Sequence, residues 1–281
     1  MEKITGNKYF SGLYFFISTS IFTILIIEYL GFLTELIFSN KKLELLNLIL
    51  LSSGLLLNYF LLNFFRTKTN ISFNLIRRFY FVIIFFALIN FLLIPKNFNL
   101  IVQILLIDLG AIYIIFQICK KFDQNSFVWL GLIRLNFKDS KYFLYYFLAW
   151  PLIIVWGIFV EYLNIDALRN SNYSQDIVEA LNNNYLIIFL LACIVAPLSE
   201  EIIFRGFLIR IIKQKYSTSL AIIINSFFFG LIHLSPSAII PASILGISLS
   251  IIRIKTNSVY GSIIIHSLHN LFALILTIQA L

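Results

Sequence analysis

The stretch "YLIIFLLACIVAPLSEEIIFRGFLIRII", Tyr185 to Ile212, decides the fold. As a helix it is about 42 Å long, enough to cross a hydrocarbon core of about 30 Å. Its middle nevertheless carries two adjacent carboxylates, Glu200 and Glu201, and a guanidinium, Arg205. Charges at that depth are costly, face the interior of a helical bundle and have partners. Glu201 and Arg205 are four apart, share a helix face and are expected to pair. Glu200 is rotated from Glu201 by about 100° and needs another partner or a protonated state. Pro197, just before it, is expected to kink the helix.

The rest of the chain is of the same kind. Of 281 residues, 60% are hydrophobic and only 12% charged, against about 45–50% and about 25% in a soluble domain. Apolar runs over roughly 10–37, 43–65, 74–94, 98–119, 142–163, 185–212, 219–235, 238–254 and 259–279 read as nine spans, with eight an alternative if one is re-entrant. Backbone groups in lipid must be satisfied internally, so runs this long mean helices. Pro236 and Pro241 read as a tight turn between the seventh and eighth spans. The fold class is an all-α polytopic transmembrane helical bundle of about 8–9 spans with an intramembrane active site. It forms a single membrane domain over 1–281, with helices lacking evident chemistry over 1–164 and a motif-bearing core over 185–279.

The formal charge of +8 comes from basic residues in short loops between apolar runs, which points to a membrane surface and not to nucleic acid. With the N-terminus inside, sixteen Lys and Arg fall on the cytoplasmic side and four outside, and Arg205 lies within a span. This gives a cytoplasmic N-terminus, and the first segment reads as a retained signal anchor. The polar stretch 164–184 falls outside and is expected to carry a short surface helix. Cys119 and Cys193 sit alone in apolar runs, so neither a disulfide framework nor a cysteine metal site is expected. Trp129, Trp150 and Trp156 read as interface anchors.

Every histidine lies in the second half: His233 ending "FFFGLIH", and His266 and His269 in "IIIHSLHN", which ends at Asn270. Counted along the helices from the inner surface, Glu200, His233 and Asn270 reach about 20, 22 and 15 Å, and His266 about 9 Å. Helix tilt and span-end placement shift such depths by about 5 Å, so the three spans bring polar groups to one buried pocket. A carboxylate and a histidine can share a water and take its proton. A second histidine and an asparagine amide can donate to an oxyanion. Glu200, His233 and His266 could equally hold a zinc ion with water in its fourth position. The residue types leave both routes open. The bland readings are an ion pair for Glu201 and Arg205, helix packing for His269, and a structural hydrogen bond for Asp108.

Glu200-Glu201-xxx-Arg205, Phe229-xxx-His233 and His266-xxx-Asn270 together resemble the three polar motifs of the CAAX prenyl endopeptidase and bacteriocin-processing (CPBP, or Abi) family of intramembrane proteases. The resemblance covers about the last 100 residues. It implies that Glu200 and His233 activate water, that His266 and Asn270 form the oxyanion site, and that Glu201 and Arg205 support the motif helix. The expected function is an intramembrane endopeptidase acting on membrane-associated or lipidated peptide or protein substrates. The alternative is a non-proteolytic scaffold, immunity protein or transporter using the same pocket. The expected partners are the bilayer and the substrate, with no nucleic acid, and the expected location is a bacterial inner membrane.

Overall fold

The computed structural model describes residues 2–38, 45–93, 96–123, 125–163, 184–233 and 235–280. The expected surface helix within 164–184 lies outside the described residues, Asn184 apart. Among the described residues there is no strand, and the chain is helical nearly throughout. It divides into two compact units, Met1–Ser126 and Phe127–Leu281.

The first unit holds α1 (Glu2–Phe38), α2 (Leu45–Thr69), α3 (Phe73–Leu93) and α4 (Lys96–Phe122). α1 packs on each of the other three. Its inner face buries Phe15, Ser18, Thr19 and Thr23, while Tyr14, Ile17, Ile21 and Ile24 are exposed. The polar groups of that face are satisfied locally or across helices. The Ser18 hydroxyl donates to Asn58 Oδ1 of α2 at 2.9 Å, and Tyr80 of α3 donates to the Thr19 carbonyl at 3.1 Å. None of the sequence motifs lies in this unit.

The second unit begins one residue into α5 (Ser126–Leu130) and continues through α6 (Leu144–Leu163), α7 (Tyr185–Ile212), α8 (Thr218–Leu231), α9 (Pro236–Thr256) and α10 (Val259–Ala280). α6 buries only Ala149 and Val160 and exposes Leu148, Leu152, Val155 and Ile158, an apolar surface suited to lipid.

Helices thus occur at all nine expected places; among the described residues, seven are long and apolar enough to cross a membrane, against the eight or nine spans expected. α8, at 14 residues, is the shortfall in length: about 21 Å of helix is less than the hydrocarbon thickness. Pro236 and Pro241 do not form a turn. Pro236 opens α9, where a missing N–H costs nothing, and Pro241 lies inside the helix near its start.

α8 and α9 meet along a seam of small residues. Gly230 stands so close to Ser243 Oγ and the Ile239 carbonyl that no side chain fits there, and Gly246 packs on Ser226 and Phe229. Small residues let helix backbones approach in a membrane, where water supplies no driving force for association. The Asn225 amide crosses the seam to donate to Ser250 Oγ at 3.1 Å. Gly230→Ala should therefore destabilise the protein in detergent by about 1–3 kcal/mol through overpacking. Gly157→Ala, in α6 where an added methyl meets nothing, should be neutral or stabilising by up to about 1 kcal/mol. Thermal unfolding of the two variants side by side measures the difference.

Candidate functional site

α7 is not a regular α-helix. Two π-helical stretches, Leu190–Val195 and Ile202–Leu208, flank an α-helical turn, Ala196–Glu201. The Ala196 N–H reaches back five residues to the Leu191 carbonyl, and the Ile209 N–H five residues to that of Phe204. The irregularity expected from Pro197 takes this form: wide turns on both sides of the proline-led segment that presents the carboxylates. Such π segments gather at functional sites.

The two glutamates have different surroundings. Glu201 and Arg205 are wholly buried and their charged atoms, Oε1 and Nη1, lie 2.9 Å apart. The Arg205 Nη2 donates to the Gly246 carbonyl at 3.3 Å, and its guanidinium lies 4.1 Å from the Phe229 ring centre. The close α8–α9 seam brings Gly246 and Phe229 within reach of Arg205. Glu200 keeps 22% of its side chain exposed, so of the two it is the one that water can reach.

His266 of α10 joins them. Its Nδ1 is 3.0 Å from Glu201 Oε1, and its Nε2 is 3.9 Å from Glu200 Oε2. The Glu201 oxygen, ion-paired with Arg205, can only accept, so the His266 Nδ1 carries the proton and donates it. Nε2 is then the nitrogen without the proton, turned toward Glu200. Sequence spacing assigned Glu201 to Arg205 alone. It did not reveal that the same oxygen also orients His266, because that contact spans 65 positions.

His233 follows α8 directly and its Nδ1 donates to the Phe229 carbonyl at 2.9 Å. The Phe229 ring stands edge-on between the two histidines, 5.2 Å from His233 and 5.6 Å from His266 between ring centres. His233 thus joins the cluster through Phe229. Asn270, one turn beyond His266, donates its amide to the Ala192 carbonyl at 2.7 Å and ties α10 to the first π stretch. In this arrangement its amide serves the helix packing. His269 faces away, toward α6, where its Nδ1 is 3.1 Å from the Tyr146 hydroxyl and its ring meets Trp150.

Two further residues support the site, and the sequence reading placed both elsewhere. Arg253, counted among cytoplasmic loop charges, is 7% exposed. Its Nε donates to the Arg205 carbonyl at 3.1 Å and its Nη2 to the Leu130 carbonyl at 3.4 Å. Trp129, read as an interface anchor, is buried against Phe207 and beneath the Arg210 guanidinium. Gly131 adopts φ +78° where the Arg253 guanidinium lies against it, a conformation that glycine alone adopts without cost.

Glu200, His233 and His266 were the candidates to hold zinc. Each histidine donates Nδ1–H to a fixed acceptor, which is how metal-binding histidines are held. Among the described residues, however, no three His, Cys, Asp or Glu side chains stand close enough together to hold an ion.

Removing one partner of a buried ion pair strands the other, at about 3–5 kcal/mol. Arg205→Ala should lower stability by that amount in thermal unfolding of the detergent-purified protein. Glu200→Gln, at the partly buried carboxylate, should stay within about 0.5 kcal/mol of wild type.

Residues 182–272, about a third of the chain, match the Rce1-like family of type II CAAX prenyl endopeptidases. The matched segment contains all seven motif residues. A Bacillus subtilis (strain 168) protein described as "Putative membrane peptidase YdiL" is 26% identical over 120 residues, which is 43% of this chain. That match spans about half of the relative, 49% of its length. No solved structure matches the chain at a comparable level. From residue 182 to residue 272 the chain is similar to the Rce1-like type II CAAX prenyl endopeptidases, and the resemblance carried by its three polar motifs stands.

Proposed function

We propose that this protein is an intramembrane endopeptidase that hydrolyses peptide bonds of membrane-associated or lipidated substrates, with Glu200 as the base that activates water. The observation that carries the reading is the 3.9 Å spacing between Glu200 Oε2 and His266 Nε2, with His266 locked from behind by Glu201. One water at ordinary hydrogen-bond distances of about 2.8 Å can touch both atoms. Glu200 takes its proton as the oxygen attacks the peptide carbonyl, and then passes the proton to the leaving amine. His266, flanked by two carboxylates, donates from Nε2 to the developing oxyanion when protonated. His233 joins Glu200 in holding the water, its Nε2 being the nitrogen not committed to Phe229. Asn270 joins the oxyanion site if substrate draws its amide from the Ala192 carbonyl.

The similarity of 182–272 to type II CAAX prenyl endopeptidases supports a peptide-bond substrate and favours a lipidated one. The name of the Bacillus subtilis relative supports membrane peptidase activity. The excess of basic residues on one set of loops supports a cytoplasmic N-terminus, and the Bacillus subtilis relative favours a bacterial inner membrane. The zinc reading rests on the anchored Nδ1–H groups of His233 and His266. A bound ion would supply a water of lowered pKa, but the described side chains do not gather to hold one, and no step above runs through it.

The test is cleavage of fluorogenic, membrane-anchored peptides by the purified protein in liposomes. Glu200→Gln and His266→Ala should each lower kcat/KM by about a hundredfold or more, while Glu200→Gln keeps the wild-type melting point. Cleavage by both variants at the wild-type rate would overturn the assignment. Binding of the peptides without turnover, unchanged in Glu200→Gln, would point to the scaffold or immunity reading. Stoichiometric metal in the purified protein, lost in His266→Ala, would replace the metal-free route.

A further inference from the structure

A second cavity, apart from the motif residues, opens where α7 and α9 end. It encloses about 280 Å³ and three cationic side chains line it: Arg210, Lys213 and Arg253. Among the described residues, no acidic side chain lines it. Its walls are apolar, with Ile209, Ile254 and Val128 among them. Lys213 directly follows the last residue of α7, and Asn257, also in the lining, directly follows that of α9. The cavity therefore sits at the level where two spans leave the hydrocarbon, beside the exposed apolar side chains Phe127 and Val128.

Two of the cations are fixed by the backbone of the same short segment. Arg210 donates to the Val128 and Trp129 carbonyls, and Arg253 to that of Leu130. Basic residues in the last turn of a helix complement its dipole, which accounts for their presence at these ends. It does not account for their convergence on a cavity. Lys255, also in the last turn of α9, is exposed and takes no part in the lining. Like charges held together around an apolar-walled space are stabilised by an anion. At headgroup depth the anion within reach is a lipid phosphate.

We propose that this cavity binds the phosphate of an anionic phospholipid headgroup, such as that of phosphatidylglycerol, with the lipid's glycerol portion against Ile209 and Ile254. The guanidiniums are already oriented, so binding orders little beyond the Lys213 side chain. Because Arg253 also donates to the Arg205 carbonyl, the occupied cavity lies one residue from the buried pair that holds His266.

The experiment is native mass spectrometry of the delipidated, full-length protein in detergent. It is titrated with short-chain phosphatidylglycerol, with phosphatidylcholine of the same chain length, and with inorganic phosphate. Wild type should retain phosphatidylglycerol in preference to phosphatidylcholine. Lys213→Glu, at an exposed position that leaves the fold intact, should weaken phosphatidylglycerol binding roughly fivefold to thirtyfold, from about 1 kcal/mol per unit of charge changed. Lys255→Glu, an equal charge reversal outside the cavity, should change it by less than about twofold. Equal retention of the two lipids would overturn the proposal, and so would equal losses in the two variants, which would mean general surface attraction. Displacement of the lipid by an equal concentration of inorganic phosphate would overturn the lipid assignment in favour of a soluble anion.

Discussion

The wholly buried pair of Glu201 and Arg205 is the constraint on which the second unit depends. Each ion loses several kcal/mol of hydration on entering a medium of low dielectric, and only close, multiple contacts offset that. The contacts come from every neighbouring motif helix. Glu201 supplies the counter-charge from within α7, Gly246 of α9 supplies a carbonyl, and Phe229 of α8 supplies an aromatic face. His266 of α10 is the second partner of the same Glu201 oxygen. Moving any one of these helices away would leave a charge unsatisfied, so the pair fixes the positions of four helices at once. The small-residue seam between α8 and α9 is a consequence: bulkier residues there would carry the Gly246 carbonyl out of reach of the guanidinium.

The same arrangement divides labour between two adjacent carboxylates. Glu201 is sealed from solvent and committed to two partners, which makes it a poor proton acceptor in a reaction. Glu200 is half-buried, keeps access to solvent and faces the nitrogen of His266 that Glu201 does not hold. A regular helix would place adjacent residues about 100° apart, and here a π-helical stretch begins directly after Glu201. On the proposed reading, one glutamate builds the frame and its neighbour works within it.

The membrane-embedded, all-helical class and the ends of most helices were legible from apolar runs, since lipid allows few alternatives to a helix. The Glu201–Arg205 pairing was legible because it is local, four residues on one helix face. Three features were not. The contact from His266 to Glu201 joins distant positions, and a motif spacing shows which residues share a face but not which face meets which helix. The π stretches of α7 leave no mark in apolar periodicity, and Pro197 indicated only that some irregularity would occur. Arg253 and Trp129 were assigned by rules for loop charges and interface aromatics, which use position along the chain and ignore burial. The short length of α8 was hidden because the apolar run continues to His233 while the helix stops at Leu231.

The burial of Arg253 also explains how an irregular helix survives at membrane depth. Where backbone departs from α-helical bonding inside the hydrocarbon region, its polar groups must be covered by protein and satisfied there. The π stretch Ile202–Leu208 meets this requirement with a side chain from another span: the Arg253 guanidinium donates to the Arg205 carbonyl in the middle of the stretch. The Leu130 carbonyl holds the other end of that guanidinium, and Gly206 allows the same carbonyl to approach within about one atomic contact of the π turn. The segment Trp129–Gly131 therefore belongs to the site's scaffold as much as the motif helix does. It braces, through one arginine, the turn of backbone that carries the buried ion pair, and the ion pair in turn orients the histidine facing Glu200.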